Sequence, residues 1–484
     1  MGRHSFSRSA AARRLGFVVA LLFLTGRVAV AQEPGVVPSG PALTADPVLA
    51  ALVREALETR PELAQARASI QADLERVPQA RALPDPVVSL GIQNDGFRRI
   101  EIGEMESSWL LFMASQTLPW RGKRGLRGDL IALEVQRSEA DVARMLLSVR
   151  AEVERTYVDL LLVRDQLGLL DKLDALWTQT EGIARVRYEV GDGSQSDVIR
   201  AQLEQSRLKQ RRWALEDEER RRVIVMNRLR GRAPGDAVAT SRSLVDIPDP
   251  VVPGMESALE DAQAKSPELQ KSRLAIEQSA SLVELAGKDY YPDVTVSAGL
   301  MPRGGPFPPM WQAGVSFSIP IWGGSKQARA VEENRIRGTS ARFGAEAIEQ
   351  VLRQRIAERL SLLNALAEIN HLYRSGLLVQ SEATAQSTMA QYQVGRVPFA
   401  SVLEALNGYV ADLDAYYVSV AVAQRVDIAQ REISLESPAG GASGGMSGSS
   451  VPGAGSMTGG DSPSQSAPPP PSAGSAGSGS MKRM

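Results

Sequence analysis

The 484-residue chain has no cysteine, two histidines and only 5% aromatic residues. Without cysteine there is no disulfide, no thiolate metal site and no N-terminal cysteine to carry a lipid. Once a leader is removed His371 is the only histidine, so no metal cluster of conventional spacing remains, and a lone helical histidine reads as structural. No later segment has about 18 continuous apolar residues, which excludes membrane-spanning helices but not a β-barrel, whose strands are short and only alternately apolar. A positive surplus is missing too: 55 Lys and Arg face 56 Asp and Glu, which argues against a nucleic-acid surface. No P-loop appears. GASGG at 441–445 matches G-x-S-x-G but lies in Gly-, Ser- and Pro-rich sequence, without the strand, turn and helix that a nucleophile requires. The expectation is no enzyme, no cofactor and no metal site.

At the N-terminus Arg3, Arg8, Arg13 and Arg14 precede the apolar run FVVALLFLTG, and Ala29-Val30-Ala31 is a small-residue cleavage pattern. Residues 1–31 therefore read as a secretory signal peptide, since a run of about ten apolar residues is too short for a span of about 20. With it go five arginines, which leaves the exported chain mildly acidic, at about −6. Residues 32–46 form an N-terminal segment. At the other end, residues 436–484 are too rich in Gly, Ser and Pro to fold and are expected to be a disordered tail, with Met446, Met457, Met481 and Met484 scattered through it.

Between them one plan occurs twice. YEVGDGSQSDVIRA (188–201) and YQVGRVPFASVLEA (392–405) share Y-x-V-G-x(6)-V, 204 positions apart. RPELAQARASI (60–70) matches SPELQKSRLAI (266–276), LPDPVVSLG (83–91) matches YPDVTVSAG (291–299), and SQTLPWRGKRG (115–125) answers SFSIPIWGGSK (316–326). Four landmarks in one order mark a duplicated unit. The halves run over 47–232 and 254–435, with a linker over 233–253.

Each half begins with a helix followed by a pair of alternating segments, over 86–118 and 292–320. Val294, Val296, Ala298 and Leu300 alternate with Thr295, Ser297 and Gly299; Trp311, Ala313, Val315, Phe317 and Ile319 alternate with Gln312, Gly314, Ser316 and Ser318. Period two predicts strands with one apolar face. Gln116 breaks the pattern in WLLFMASQTLP. Half of a soluble sandwich would look the same, but Trp120, Tyr290, Tyr291 and Trp322 at the strand ends suit a membrane-interface girdle. The basic cluster Arg121, Lys123, Arg124 and Arg127 reads as a solvated junction.

Proline-free runs follow. Residues 124–188 and 326–392 read as single helices, each a rod of roughly 100 Å at 1.5 Å per residue. In the first, Val142, Met145, Val149, Val153, Tyr157 and Leu160 recur at three and four, a coiled-coil-like stripe. Y-x-V-G then ends the rod: Gly191 or Gly395 turns the chain, and a second helix returns over 197–230 or 401–430. The repeated motif is a hairpin tip.

As a constellation, the duplication, the two strand pairs, the two long hairpins and the Y-x-V-G-x(6)-V tips, over about 45–435, resemble the TolC family of outer membrane efflux channels. The PDP-to-SQTLPWRGKRG stretch is similar to its heavy-metal, CzcC-like or CusC-like branch. Four strands cannot close a barrel, so an oligomer is required. The resemblance implies a mixed α and β membrane protein, a homotrimer sharing a twelve-stranded β-barrel that continues into a long α-helical coiled-coil tunnel. It also implies outer-membrane placement with the tunnel in the periplasm, lipid around the barrel, a periplasmic adaptor (membrane fusion) protein and an RND-type inner-membrane pump as partners, and passive, gated export of small molecules or metal ions. Carried over to this sequence, the gate comprises Ser196, Asp197, Tyr392, Ser401 and Glu404, and the tip turns at Tyr188, Gly191, Tyr392 and Gly395 meet the adaptor. Val397 stands where the family can have a gate arginine and Ser401 where it can have an aspartate, so a full salt-bridge latch is not expected. The alternative is a soluble periplasmic coiled-coil scaffold or adaptor with a small β-domain.

Overall fold

A computed structural model describes residues 43–436; the expected leader, most of the N-terminal segment and the tail from residue 437, with its methionines and GASGG, lie outside them. Nine α-helices and four strands follow one another among the described residues. Helix α1 (Pro47–Thr59) starts where Asp46 accepts the Val48 N–H and Pro47 occupies the first turn. Helix α2 (Pro61–Arg81) and its repeat mate α6 (Pro267–Lys288) both begin at the proline of P-E-L, and Ser266 caps the second by accepting the Leu269 N–H.

The strands β1 (Val87–Gln93), β2 (Trp109–Leu118), β3 (Val294–Met301) and β4 (Met310–Phe317) form one antiparallel sheet in the order β1-β2-β3-β4. The registers Leu90 to Phe112, Phe112 to Leu300 and Leu300 to Trp311 place these four side chains in one row, and they are 72%, 47%, 62% and 76% exposed. The alternation thus yields one continuous apolar face that the chain itself does not cover. Gln116 sits on this face because its amide turns to the Pro84 carbonyl at 2.7 Å, tying down the chain that enters β1.

Helix α3 (Lys123–Glu189) is one unbroken rod of 67 residues, and α4 (Gln195–Leu229) returns from it. Val149, Val153, Tyr157 and Leu160 of its three-and-four stripe are buried in a core shared with α1, α4, the linker residues Val238, Leu244 and Ile247, and α9 (Phe399–Glu432). Asp46 closes that core from below the cap, accepting from the Tyr157 and Ser241 hydroxyls at 2.8 and 2.6 Å. A second core, with Ala258, Leu352, Ile356 and Ile433, joins α5 (Met255–Lys265) to α7 (Gln327–Leu372) and the end of α9. The second rod is not the single helix expected: α7 ends in a π turn, Tyr373–Leu377, before α8 (Leu378–Gln393).

Several expectations are corrected. The chain is mostly α-helical with a small open sheet, not a twelve-stranded barrel: β1 and β4 are edges, and four strands of seven to ten residues are too few to close on themselves. The rods pack against one another inside the chain as a bundle, so the stripe of α3 is a core face here and not the wall of a coiled-coil tunnel. Among the described residues no helix is long and apolar enough to cross a membrane. Outer-membrane placement, the lipid contact and the passive gated conduit all presupposed the closed barrel and are corrected with it. The basic cluster is also not uniformly solvated: Lys123 is 4% exposed and reaches the Asp293 carboxylate at 3.0 Å, the Asp289 carboxylate at 3.2 Å and the Tyr291 carbonyl at 3.1 Å.

Candidate functional site at the hairpin tips

The two tips turn on Gly191 and Gly395, whose φ angles of 84° and 74° lie in the left-handed region that a side chain disfavours. After the first turn Ser194 caps α4, its hydroxyl accepting the Ser196 N–H at 3.2 Å and lying 2.8 Å from the Ser196 hydroxyl. Below the tips one cluster draws on both hairpins: Trp177, Ala184 and Ala201 of the first pack with Ala385, Met389, Tyr392, Phe399, Val402 and Leu406 of the second. Phe399 is its centre, edge-on to Tyr392 at 5.7 Å and tilted against Trp177 at 6.4 Å between ring centroids.

Within this cluster the structure brings together two of the expected tip residues. Tyr392 is 1% exposed, and its hydroxyl donates to Asp197 Oδ2 at 3.4 Å. Burial first, and the Asp197 charge second, push the phenol up to about 12. Arg187 completes the contact: its guanidinium lies 4.6 Å from the Tyr392 ring centroid, donates to the Tyr392 carbonyl at 2.7 Å and donates to the Asp192 carbonyl at 3.1 Å. One side chain therefore ties the first turn to the last residues of α8.

Tyr188 is 48% exposed although it occupies the same repeat position as Tyr392, so the duplicated tips are not equivalent. Ser401 and Glu404 line a groove of about 420 Å³ between α8 and α9, with Thr384, Thr388 and Asp412 on its walls. Val397 packs against the tip cluster, so the position that lacks an arginine is used for packing. No full salt-bridge latch was expected, and the contact present is a latch of another kind, in which Tyr392 meets both Asp197 and Arg187. Arg187 escaped sequence reasoning because its repeat mate is Gln391 and an arginine on a highly charged rod reads as a solvated face.

At the opposite ends of the rods Trp120 stacks on Tyr291 at 5.1 Å and 8°. A Cβ at Gly323 would stand 3.3 Å from the ring of Tyr290. Trp322 borders a cavity of about 360 Å³ together with Lys123, Asp293 and Lys326. No group of three or more His, Cys, Asp or Glu residues able to hold a metal ion occurs among the described residues.

Comparison with known proteins bears on these features. The family model described as "Outer membrane efflux protein" matches residues 52–231 and 258–435. The solved structure of the outer-membrane channel OprN is similar, with 19% identity, a TM-score of 0.66, and coverage of 81% of this chain and 91% of that one. The outer membrane protein VceC of Vibrio cholerae shares 17% identity over 80% of this chain and 95% of that one, with a TM-score of 0.65. CusC shares 14% over 81% and 94%, also with a TM-score of 0.65, an identity too low to assign the heavy-metal branch. No curated protein sequence matches the chain. At 14–19% identity these likenesses show the shared fold.

Proposed function

Because the chain belongs to the outer membrane efflux protein family, we propose that it is a non-enzymatic, structural component of an efflux assembly, a periplasmic helical scaffold whose paired hairpin tips dock an adaptor protein. The observation that carries this reading is the construction of the tips. Val190 and Val394 are 67% and 68% exposed beside Gly191 and Gly395, on turns that the latch of Arg187, Tyr392 and Asp197 fixes from below. Apolar side chains held in the open on a rigid frame are what a docking surface requires.

In this reading Tyr188, Gly191, Tyr392 and Gly395 shape the docking turns, Asp197 and Tyr392 set the state of the tip, and Ser196, Ser401 and Glu404 border it. Trp120, Tyr290, Tyr291 and Trp322 form the collar joining the sheet to the rods. An adaptor of the membrane-fusion type, an RND-type pump and two further copies of the chain are the partners it adds. Self-association is supported by the unpaired edges β1 and β4 and by the uncovered row Leu90, Phe112, Leu300 and Trp311.

Photo-cross-linking tests the docking surface. A photoreactive residue at position 190 or 394 should give a covalent product with a periplasmic adaptor, identified by mass, and the same residue at the exposed Ile336 should not. Adducts at Ile336 alone would remove the tips from the proposal. Washing membranes at alkaline pH tests the scaffold: release without detergent is expected, and retention would overturn it.

A further inference from the structure

The seam of α7 is buried at Ile356, Leu363 and Asn370, one heptad apart. Continued at that step along an uninterrupted helix, it would next fall on Leu377, Thr384 and Gln391. All three are exposed, whereas Ala385 and Tyr392, one residue later, are 4% and 1% exposed. The displacement begins at the π turn Tyr373–Leu377, where i→i+5 bonding takes up one residue more than an α-helical turn.

The first rod has no such feature. Its corresponding stretch, Leu169 to Leu173, is continuous α-helix with Leu169, Leu170 and Leu173 buried at 3%, 2% and 1% exposure, whereas none of the five π residues is buried. The π turn is held from outside the rod. Arg374 pairs with Asp249 of the linker, the Asn370 amide donates to the same carboxylate at 2.7 Å, and the Ser419 hydroxyl donates to Asn370 Oδ1 at 2.7 Å. The Tyr373 ring lies 5.8 Å from that of Tyr416.

We propose that this π turn sets the rotational phase of the second hairpin's tip: it stores one surplus residue, which turns Tyr392 inward to meet Asp197 and Arg187, and its relaxation to α-helix rotates α8 by about 100° and opens the latch. Asp249 is the catch that holds the π form. The inference concerns the chain alone and stands whether or not an adaptor docks at the tips.

Single-residue deletion in the full chain tests it, with cysteine labelling as the readout, since the protein has no cysteine of its own. Deleting Gly376 removes the surplus residue, so the stretch should close as α-helix with the tip phase unchanged. A maleimide should then label Thr384→Cys at least about tenfold faster than Ala385→Cys in both the wild-type and the deleted background. Deleting Lys172, the corresponding residue of the first rod, leaves no π turn to absorb the change and should speed labelling of Ala184→Cys by a similar factor. Equal or reversed rates at 384 and 385 in a folded Gly376 deletion would overturn the proposal. If that deletion does not fold, deuterium exchange of the wild-type chain decides. Residues 373–377 should exchange about tenfold faster than 169–173, and equal protection would overturn it.

Discussion

The Tyr392 hydroxyl of the second hairpin donates to the Asp197 carboxylate of the first across 3.4 Å, at a site where the tyrosine is 1% exposed. Burial chiefly, then Asp197, raises this phenol to about 12, so the fold favours the neutral form. Stability from it is whole below the unfolded value of about 10 and is lost as pH rises through about 12. Tyr392→Phe should cost about 1 kcal/mol at pH 7 and weaken the decline between about pH 10 and 12 by roughly 1 to 2 kcal/mol. Urea unfolding of both proteins at pH 7 and 11 checks this, and identical pH slopes would contradict it.

Arg187 makes a different demand, because it donates to two carbonyls, of Tyr392 and Asp192, while lying over a ring. A planar guanidinium suits that combination and an ammonium does not. Arg187→Lys should therefore behave like Arg187→Gln, with cleavage at the tips by a mild protease accelerated about tenfold and global stability changed by less than about 1 kcal/mol. If the lysine variant resists cleavage as the wild type does, charge alone is sufficient and the fork geometry is irrelevant.

What the sequence disclosed follows from which physical signals are local. The α3 rod was legible because no proline interrupts it and Val149, Val153, Tyr157 and Leu160 repeat at three and four, spacings that only a helix lines up. The strands were legible from alternation, which reports faces but says nothing of closure; closure depends on what pairs with β1 and β4, and no residue within one strand encodes that. The π turn was hidden because YRSGL contains no helix breaker stronger than Gly376. Arg187 was hidden because the repeat directed attention to positions that match, whereas the latch arises from a position that does not.

Lys123 anchors the sheet to the rods through Asp293, whose carboxylate also accepts the Trp120 N–H at 2.8 Å. Burial works to raise the Asp293 carboxyl, but the Trp120 N–H and Lys123 outweigh it and hold the group below the usual carboxylate range. A carboxyl depressed in the fold contributes stability above its unfolded value of about 4, and that contribution is lost as pH falls through the folded value. Lys123→Met should cost about 2 kcal/mol at pH 7, since Asp293 is partly exposed and some solvation returns, and should shift acid unfolding to higher pH. An unchanged acid midpoint would show that the pair does not hold the junction.

The end of α9 poses the last question, since five consecutive carbonyls, from Glu432 to Glu436, each accept from an arginine. Arg144 donates to those of Glu432 and Ile433 at 3.0 Å each, Arg355 to that of Leu435 at 3.1 Å, and Arg359 to that of Glu436 at 3.1 Å and also to that of Ser434. Ile433, with φ at 55°, turns the chain out of the helix and drops into the core beside Leu352 and Ile356. Arg359 is 1% exposed, and burial pulls its guanidinium down to about 10, so it is retained there against a desolvation cost. A segment bound in this way acts as a strap between α9, α7 and α3. Ending the chain after Glu436 should leave thermal unfolding within about 0.5 kcal/mol of the full chain, whereas ending it after Gln430 should cost at least about 3 kcal/mol. Arg359→Met, which takes the donor from the buried Ser434 carbonyl and from that of Glu436, should fall between them at about 2 to 3 kcal/mol. Equal stabilities for the two truncations would show that the arginines hold the strap without the strap holding the fold.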